Sequence, residues 1–170
     1  EVIRRRAAFL AEYQDAAYAQ RYEELVRKVE RAEREKTPRR TGLADAVARG
    51  LFKRMAIKDE YEVARLWAET DFLSKVREQV EGDYRFRFHL APPAFAARDP
   101  VSGRLQKRAY GQWMLPLFRL LAKGRRLRGT VFYLFGRTAE RRMERQLIRD
   151  YEALVTEIVE RLTPENHADA

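Results

Sequence analysis

The sequence predicts a mainly α fold, a helical domain with a small β element. Three observations carry this: apolar residues recur at helical spacing over most of the chain, one stretch at 84–90 alternates strictly, and no apolar run approaches the ~20 residues that span a bilayer. The chain has 170 residues, of which 45% are hydrophobic and 36% charged. That is enough apolar material for a core, with a charge excess suited to long exposed helix faces.

Taken in order, residues 2–35 are expected to form one long helix. Phe9, Tyr13 and Ala16 make one stripe, and Tyr22, Leu25, Val26 and Val29 continue it after a small drift in phase. Thr37-Pro38-Arg39-Arg40-Thr41-Gly42 breaks it. A helix over 43–57 follows from Ala44, Val47, Ala48, Leu51, Phe52 and Met55. Tyr61, Val63, Ala64, Leu66 and Trp67 form a short helix. Thr70 or Asp71 caps another, carrying Phe72, Leu73, Val76 and Val80 and ending at Gly82.

Residues 84–90 change period: Tyr84, Phe86, Phe88 and Leu90 alternate with Arg85, Arg87 and His89. A strand there buries the aromatic set and turns the basic set outward. Pro92-Pro93 ends it. Asp99-Pro100-Val101-Ser102-Gly103 reads as a turn, and 104–110 as a weak partner strand. Trp113, Met114, Leu117, Phe118, Leu120 and Leu121 suggest a buried helix, with Pro116 in its first turn. Gly124 and Gly129 bracket a loop holding Arg125, Arg126 and Arg128, and residues 130–136 are irregular. Thr138 caps a final helix over about 139–162. Its expected core stripe is Met143, Leu147, Tyr151, Leu154, Val155, Ile158 and Leu162.

The formal net charge is +9. Such a balance favours acidic partners, among them nucleic acid, an anionic membrane or an acidic protein. Nine basic residues lie between Arg119 and Arg145, opposed there by Glu140 and Glu144. Arg125, Arg126 and Arg128 are expected on an exposed loop. Arg137, Arg141 and Arg145 recur at i,i+4 on one helix face, where like charges repel and cations oppose the dipole. An acidic partner, inside or outside the fold, is expected for them. Phe132, Tyr133 and Phe135 interleave with the block, yet no RNA-binding pattern accompanies them.

The chain has no cysteine, which excludes disulfides and thiolate-held zinc or iron–sulfur clusters within it. It has no phosphate-binding glycine loop followed by lysine and no G-x-G-x-x-G. Gly82-Asp83-Tyr84 is only a fragment of a thiamine diphosphate pattern. Asp59, Glu60 and Glu62 suit a helix start. His89 is expected in a solvated or hydrogen-bonded role. His167 lies in a tail expected to fray. No catalytic, cofactor or metal residue is assigned. If the chain is instead a small enzyme, its pocket is expected around Asp59, Glu60, Arg85, Arg87 and His89.

Three stretches together resemble one family: Leu51-Phe52-Lys53-Arg54-Met55-Ala56-Ile57-Lys58-Asp59-Glu60-Tyr61-Glu62-Val63-Ala64-Arg65-Leu66, Glu81-Gly82-Asp83-Tyr84-Arg85-Phe86-Arg87-Phe88-His89-Leu90-Ala91-Pro92-Pro93, and Phe135-Gly136-Arg137-Thr138-Ala139-Glu140-Arg141-Arg142-Met143-Glu144. In this order they look like the C-terminal domain of the fused indolepyruvate ferredoxin oxidoreductases. The resemblance implies a parent enzyme that oxidatively decarboxylates an aryl 2-oxoacid to an acyl-CoA. It also implies that thiamine diphosphate, magnesium, iron–sulfur clusters and coenzyme A are held by other domains. Tyr133-Leu134 stand where that family has Asp-Pro, and the tail stops where the family runs on.

The expectation is therefore a single accessory domain over 1–170, cut from a longer cytoplasmic chain and truncated at its C-terminal end. Its expected partners are the parent's other domains and ferredoxin, without a membrane. The alternatives are a basic nucleic-acid-binding module and the small enzyme with its own pocket.

Overall fold

The computed structural model describes residues 1–82, 85–91, 97 and 99–170, and the backbone alone of Leu134. The described helices are α1 (Val2–Tyr13), α2 (Ala16–Lys36), α3 (Leu43–Met55), α4 (Glu60–Ala68), α5 (Phe72–Gln79), α6 (Met114–Lys123) and α7 (Ala139–Arg161). A two-stranded antiparallel sheet joins β1 (Phe88–Leu90) to β2 (Arg108–Tyr110). The fold is thus mainly α with a small β element. The chain divides into two compact units, one from residues 1–57 and 126–170, the other from residues 58–125.

In the first unit the long helix expected over 2–35 is two helices. The chain breaks at Gln14, and Asp15 adopts extended backbone with its side chain accepting from the Tyr18 N–H at 2.8 Å. That local bond starts a new helix in a new direction. The reversal brings Ala7 and Leu10 of α1 against Ala19, Tyr22 and Val26 of α2. The drift in the apolar stripe near Ala16 is the trace of this break.

α3 and α7 complete the unit. Ala48, Leu51, Met55 and Ile148 join the first core cluster, while Val29, Ala32, Leu43, Ala44, Val47, Val155, Val159 and Leu162 form a second. Each fully buried aliphatic side chain contributes roughly 1.5–3 kcal/mol. Thr138 caps α7 as expected, its hydroxyl accepting from the Arg141 N–H at 3.2 Å. The buried face of α7, however, is Ile148, Val155 and Val159, whereas Met143, Leu147 and Leu154 are about half exposed. The expected stripe had merged two adjoining faces of the helix.

In the second unit Ala64, Phe88, Met114 and Phe118 form the core, with Trp67, Phe86, Leu90 and Tyr110 against it. Trp67 meets Phe72 and Phe88 edge-to-face, each at 5.0 Å between centroids, and Phe88 meets Phe118 at 5.2 Å. Such pairs add about 0.5–1.5 kcal/mol beyond burial. Asp59 caps α4 by accepting from the Glu62 N–H at 2.8 Å. Asp71 precedes α5 without a side-chain cap bond, and that helix ends at Gln79, before Gly82.

Over the described residues 85–90 the alternation holds: Phe86, Phe88 and Leu90 face the core, and Arg85, Arg87 and His89 are exposed. The ladder is shorter than expected, pairing Phe88 with Tyr110, His89 with Ala109 and Leu90 with Arg108. Tyr84, Asp83, Pro92 and Pro93 lie outside the described residues. The turn at 99–103 is as read: one Asp99 oxygen accepts from the Val101 and Ser102 N–H groups and the Ser102 hydroxyl, at 3.0, 2.7 and 2.9 Å. These bonds, led by the Ser102 N–H, hold the Asp99 carboxyl below its ordinary value. α6 buries Met114, Phe118 and Ala122 only, leaving Trp113, Leu117 and Leu120 exposed.

Candidate interaction surface

The arginines singled out by the sequence meet different fates. Arg128, expected on an exposed loop, is only 4% exposed. Its guanidinium carbon sits 3.9 Å from the centre of the Tyr13 ring and the group donates to the Tyr13 carbonyl. That carbonyl closes the last turn of α1, where a cation is favoured. The two-residue step from Arg126 to Arg128 in this loop carries no periodic signal, so exposure of the first and burial of the second were not legible.

Three more arginines are braced internally. Arg137 donates to the Val131 carbonyl at 3.1 Å and Arg145 to the Gly136 carbonyl at 2.8 Å. Arg141 holds both oxygens of Glu144 at 2.8 and 2.7 Å. With Arg128 they tie down the segment that leads from α6 into α7. Their partners include the Tyr13, Val131 and Gly136 carbonyls and Glu144. Arg125, in the second unit, pairs with Glu69. Arg126 alone of the six is exposed with no hydrogen bond or ion pair among the described residues.

The second group is not gathered into one lining. Asp59 is enclosed, at 1% exposure, and spends its side chain on the α4 cap. Glu60 is partly buried in the first turn of the same helix. Beside them Glu62 and Arg65 form a buried bidentate pair at 2.9 and 3.0 Å. Arg85, Arg87 and His89 face solvent instead.

Those three residues define the clearest cationic surface. The β1–β2 register puts His89 opposite Ala109 on the outer face, and successive side chains alternate, so Arg85, Arg87 and Lys107 share that face. All four are exposed. Residues 85–125 contain nine lysines and arginines and a single acid, Asp99, which is committed to its turn. The ribbon therefore carries positive charge that its own strands and turn do not offset.

One buried polar device lay beyond sequence reasoning. Glu33 of α2 is 7% exposed and accepts from the Leu43 and Ala44 N–H groups at 2.8 and 3.1 Å, capping α3 from another helix. His167 is not frayed: its Nε2 lies 2.9 Å from Glu33 and its side chain is 10% exposed. Desolvation raises the Glu33 pKa, but the hydrogen bonds from His167, Leu43 and Ala44 together outweigh it and leave the carboxyl below its ordinary value. Nothing in the sequence separates Glu33 from Glu30 or Glu35. Tyr18 is likewise perturbed: burial, against the opposing pull of Arg21 and Arg128, pushes its phenol up to about 12, and its hydroxyl donates to the Met55 carbonyl at 3.2 Å.

Among the described residues no group of three or more His, Asp or Glu converges as for a metal ion. No helix among them is long and apolar enough to cross a membrane. No curated protein and no solved structure matches the chain. The model of a family of unknown function, DUF6537, matches residues 1–170, and the chain belongs to that family.

Proposed function

We propose that this chain is a non-catalytic interaction domain of an indolepyruvate ferredoxin oxidoreductase, contacting the parent's other domains and offering a basic face to ferredoxin. The family resemblance of the three long sequence stretches motivates the parent. In that reading thiamine diphosphate, magnesium, the iron–sulfur clusters and coenzyme A sit in other domains. The observation that carries the docking role is the outer face of the β1–β2 ribbon. Arg85, Arg87, His89 and Lys107 are exposed there without an acid on either strand. Exposed cations of this kind steer an acidic partner and raise its association rate. The original block is a poorer docking face, since Arg128, Arg137, Arg141 and Arg145 are committed internally.

The test is the association rate of the chain with an acidic ferredoxin, measured by stopped flow across ionic strength. Arg85→Glu with Arg87→Glu should slow association about tenfold at low salt, and the difference should fade as salt screens the charges. Absence of wild-type binding at low salt overturns the reading. Tighter binding to single-stranded RNA than to ferredoxin, with a steep salt slope, replaces it with a nucleic-acid module.

A further inference from the structure

α6 buries Met114, Phe118 and Ala122 in the second unit and leaves another apolar face outside it. Trp113, Leu117 and Leu120 are 63%, 38% and 67% exposed. Trp113 stands just before the helix with helical backbone angles. A spacing of four and seven residues therefore sets the three on one face, opposite the buried set and about two turns long. Pro116 is exposed beside them. The Trp113 ring is braced by the Tyr110 ring, edge-on at 6.1 Å between centroids. A braced, exposed tryptophan on a two-turn apolar stripe has the form of an anchor for a partner.

Positive charge borders this stripe along one side. Lys123 follows Leu120 by three residues and Pro116 by seven, and Arg119 precedes Lys123 by four, so the two cations line the flank next to Leu120. Both are exposed, and neither makes an ion pair among the described residues. Residues 100–125 contain no Asp or Glu, so no acid of β2, α6 or the segment between them offsets the pair. The other flank is uncharged: it passes from Leu117 to the half-buried Leu121, which packs against the core.

We propose that this face of α6 takes an acidic amphipathic helix of another protein domain. Anchors at i, i+4 and i+7 are the spacing that one helix presents to another. A partner that lays its own apolar stripe on Trp113, Leu117 and Leu120 brings the flank of that stripe over Arg119 and Lys123. There Asp or Glu is paired, and Lys or Arg is repelled. A second copy of α6 brings no acid to that flank. A bilayer suits the face less: an interfacial helix sets cations along both borders of its apolar stripe, where they reach the headgroups, and one border here is uncharged. This face shares no residue with the outer face of the ribbon, so docking on it is independent of ferredoxin binding.

The probe is a stapled helical peptide of about 18 residues, free of aromatic side chains, with leucines at i, i+4 and i+7 and glutamates on both flanks. Titrated to about 200 µM at low salt, it should shift the chain's tryptophan emission to the blue with a micromolar dissociation constant. The chain has two tryptophans, and the shift should vanish in Trp113→Phe. A counterpart with lysine in place of each glutamate should bind about tenfold more weakly. Arg119→Glu with Lys123→Glu should reverse that preference. Leu120→Glu, at an exposed position, should weaken the glutamate peptide by about tenfold or more. Circular dichroism and the melting temperature report whether the variants keep the fold. No shift with the glutamate peptide, equal affinity for the two peptides, or an unreversed preference in the folded double variant overturns the proposal. So does tighter association with vesicles containing about one quarter phosphatidylserine than with the glutamate peptide, which assigns the face to a lipid surface.

Discussion

Replacing Glu33 is expected to cost more than any other single acidic substitution on α2. Its carboxylate accepts from Leu43 N–H at 2.8 Å and Ala44 N–H at 3.1 Å and contacts His167 at 2.9 Å, all with little solvent access. Gly42, the residue before α3, has no side chain to cap that helix itself. Glu33→Ala therefore orphans two N–H groups on buried residues, at roughly 1–3 kcal/mol each. It also removes a negative charge from the α3 N-terminus, about 0.3–1 kcal/mol more. The sum is about 2–7 kcal/mol, and partial compensation by water brings the expected loss to about 2–4 kcal/mol. Glu33→Gln keeps an acceptor oxygen and should lose about half as much. Urea unfolding at neutral pH measures both, with exposed Glu30→Ala as a control expected within about 0.5 kcal/mol of wild type. The pH dependence supplies a second check. The folded Glu33 pKa lies below its unfolded value, so its contribution is present above the ordinary carboxylate pKa and is lost as pH falls through the folded value. Wild type and Glu33→Gln should thus converge on acidification. A loss below about 1 kcal/mol for Glu33→Ala refutes the capping argument.

Three further outcomes are expected. Gly50→Ala should cost roughly 1–3 kcal/mol, because a Cβ there runs into the Tyr151 hydroxyl and comes within 2.9 Å of Tyr151 Cζ; Tyr151→Phe in the same chain should recover part of the loss in a thermal melt. Phe88→Ala should cost about 3–5 kcal/mol, and Phe86→Ala clearly less, since Phe88 is 2% exposed and Phe86 only partly buried; equal melting temperatures for the two variants contradict the packing. Tyr18 titrates at about 12 in the fold, so stability should be complete below pH ~10 and fall as pH rises from there through 12; Tyr18→Phe should flatten that alkaline slope in chemical denaturation.

Periodicity made the mainly α class, the α3 helix, the Thr138 cap and the inward set Phe86, Phe88 and Leu90 legible, because each is a local consequence of spacing or of one side chain beside its own backbone. The Asp99 turn is of the same kind. The break at Asp15 was visible only as a phase drift, since an aspartate inside an apolar-periodic stretch is compatible with either one helix or two. Whether an apolar residue ended buried was another matter. Leu147 and Ile148 are adjacent and alike in chemistry, and only the position of α2 and α3 decides that Ile148 is enclosed while Leu147 stays exposed. The charged residues were the least readable. Arg126 and Arg128 differ by two positions, yet one is exposed and the other lies against Tyr13; Glu33 and Glu30 differ by three, yet one caps a distant helix. A charge's role depends on which donors or acceptors the folded backbone brings within hydrogen-bond range. In this chain those partners come from segments up to 134 residues away, a distance over which composition and spacing carry no signal.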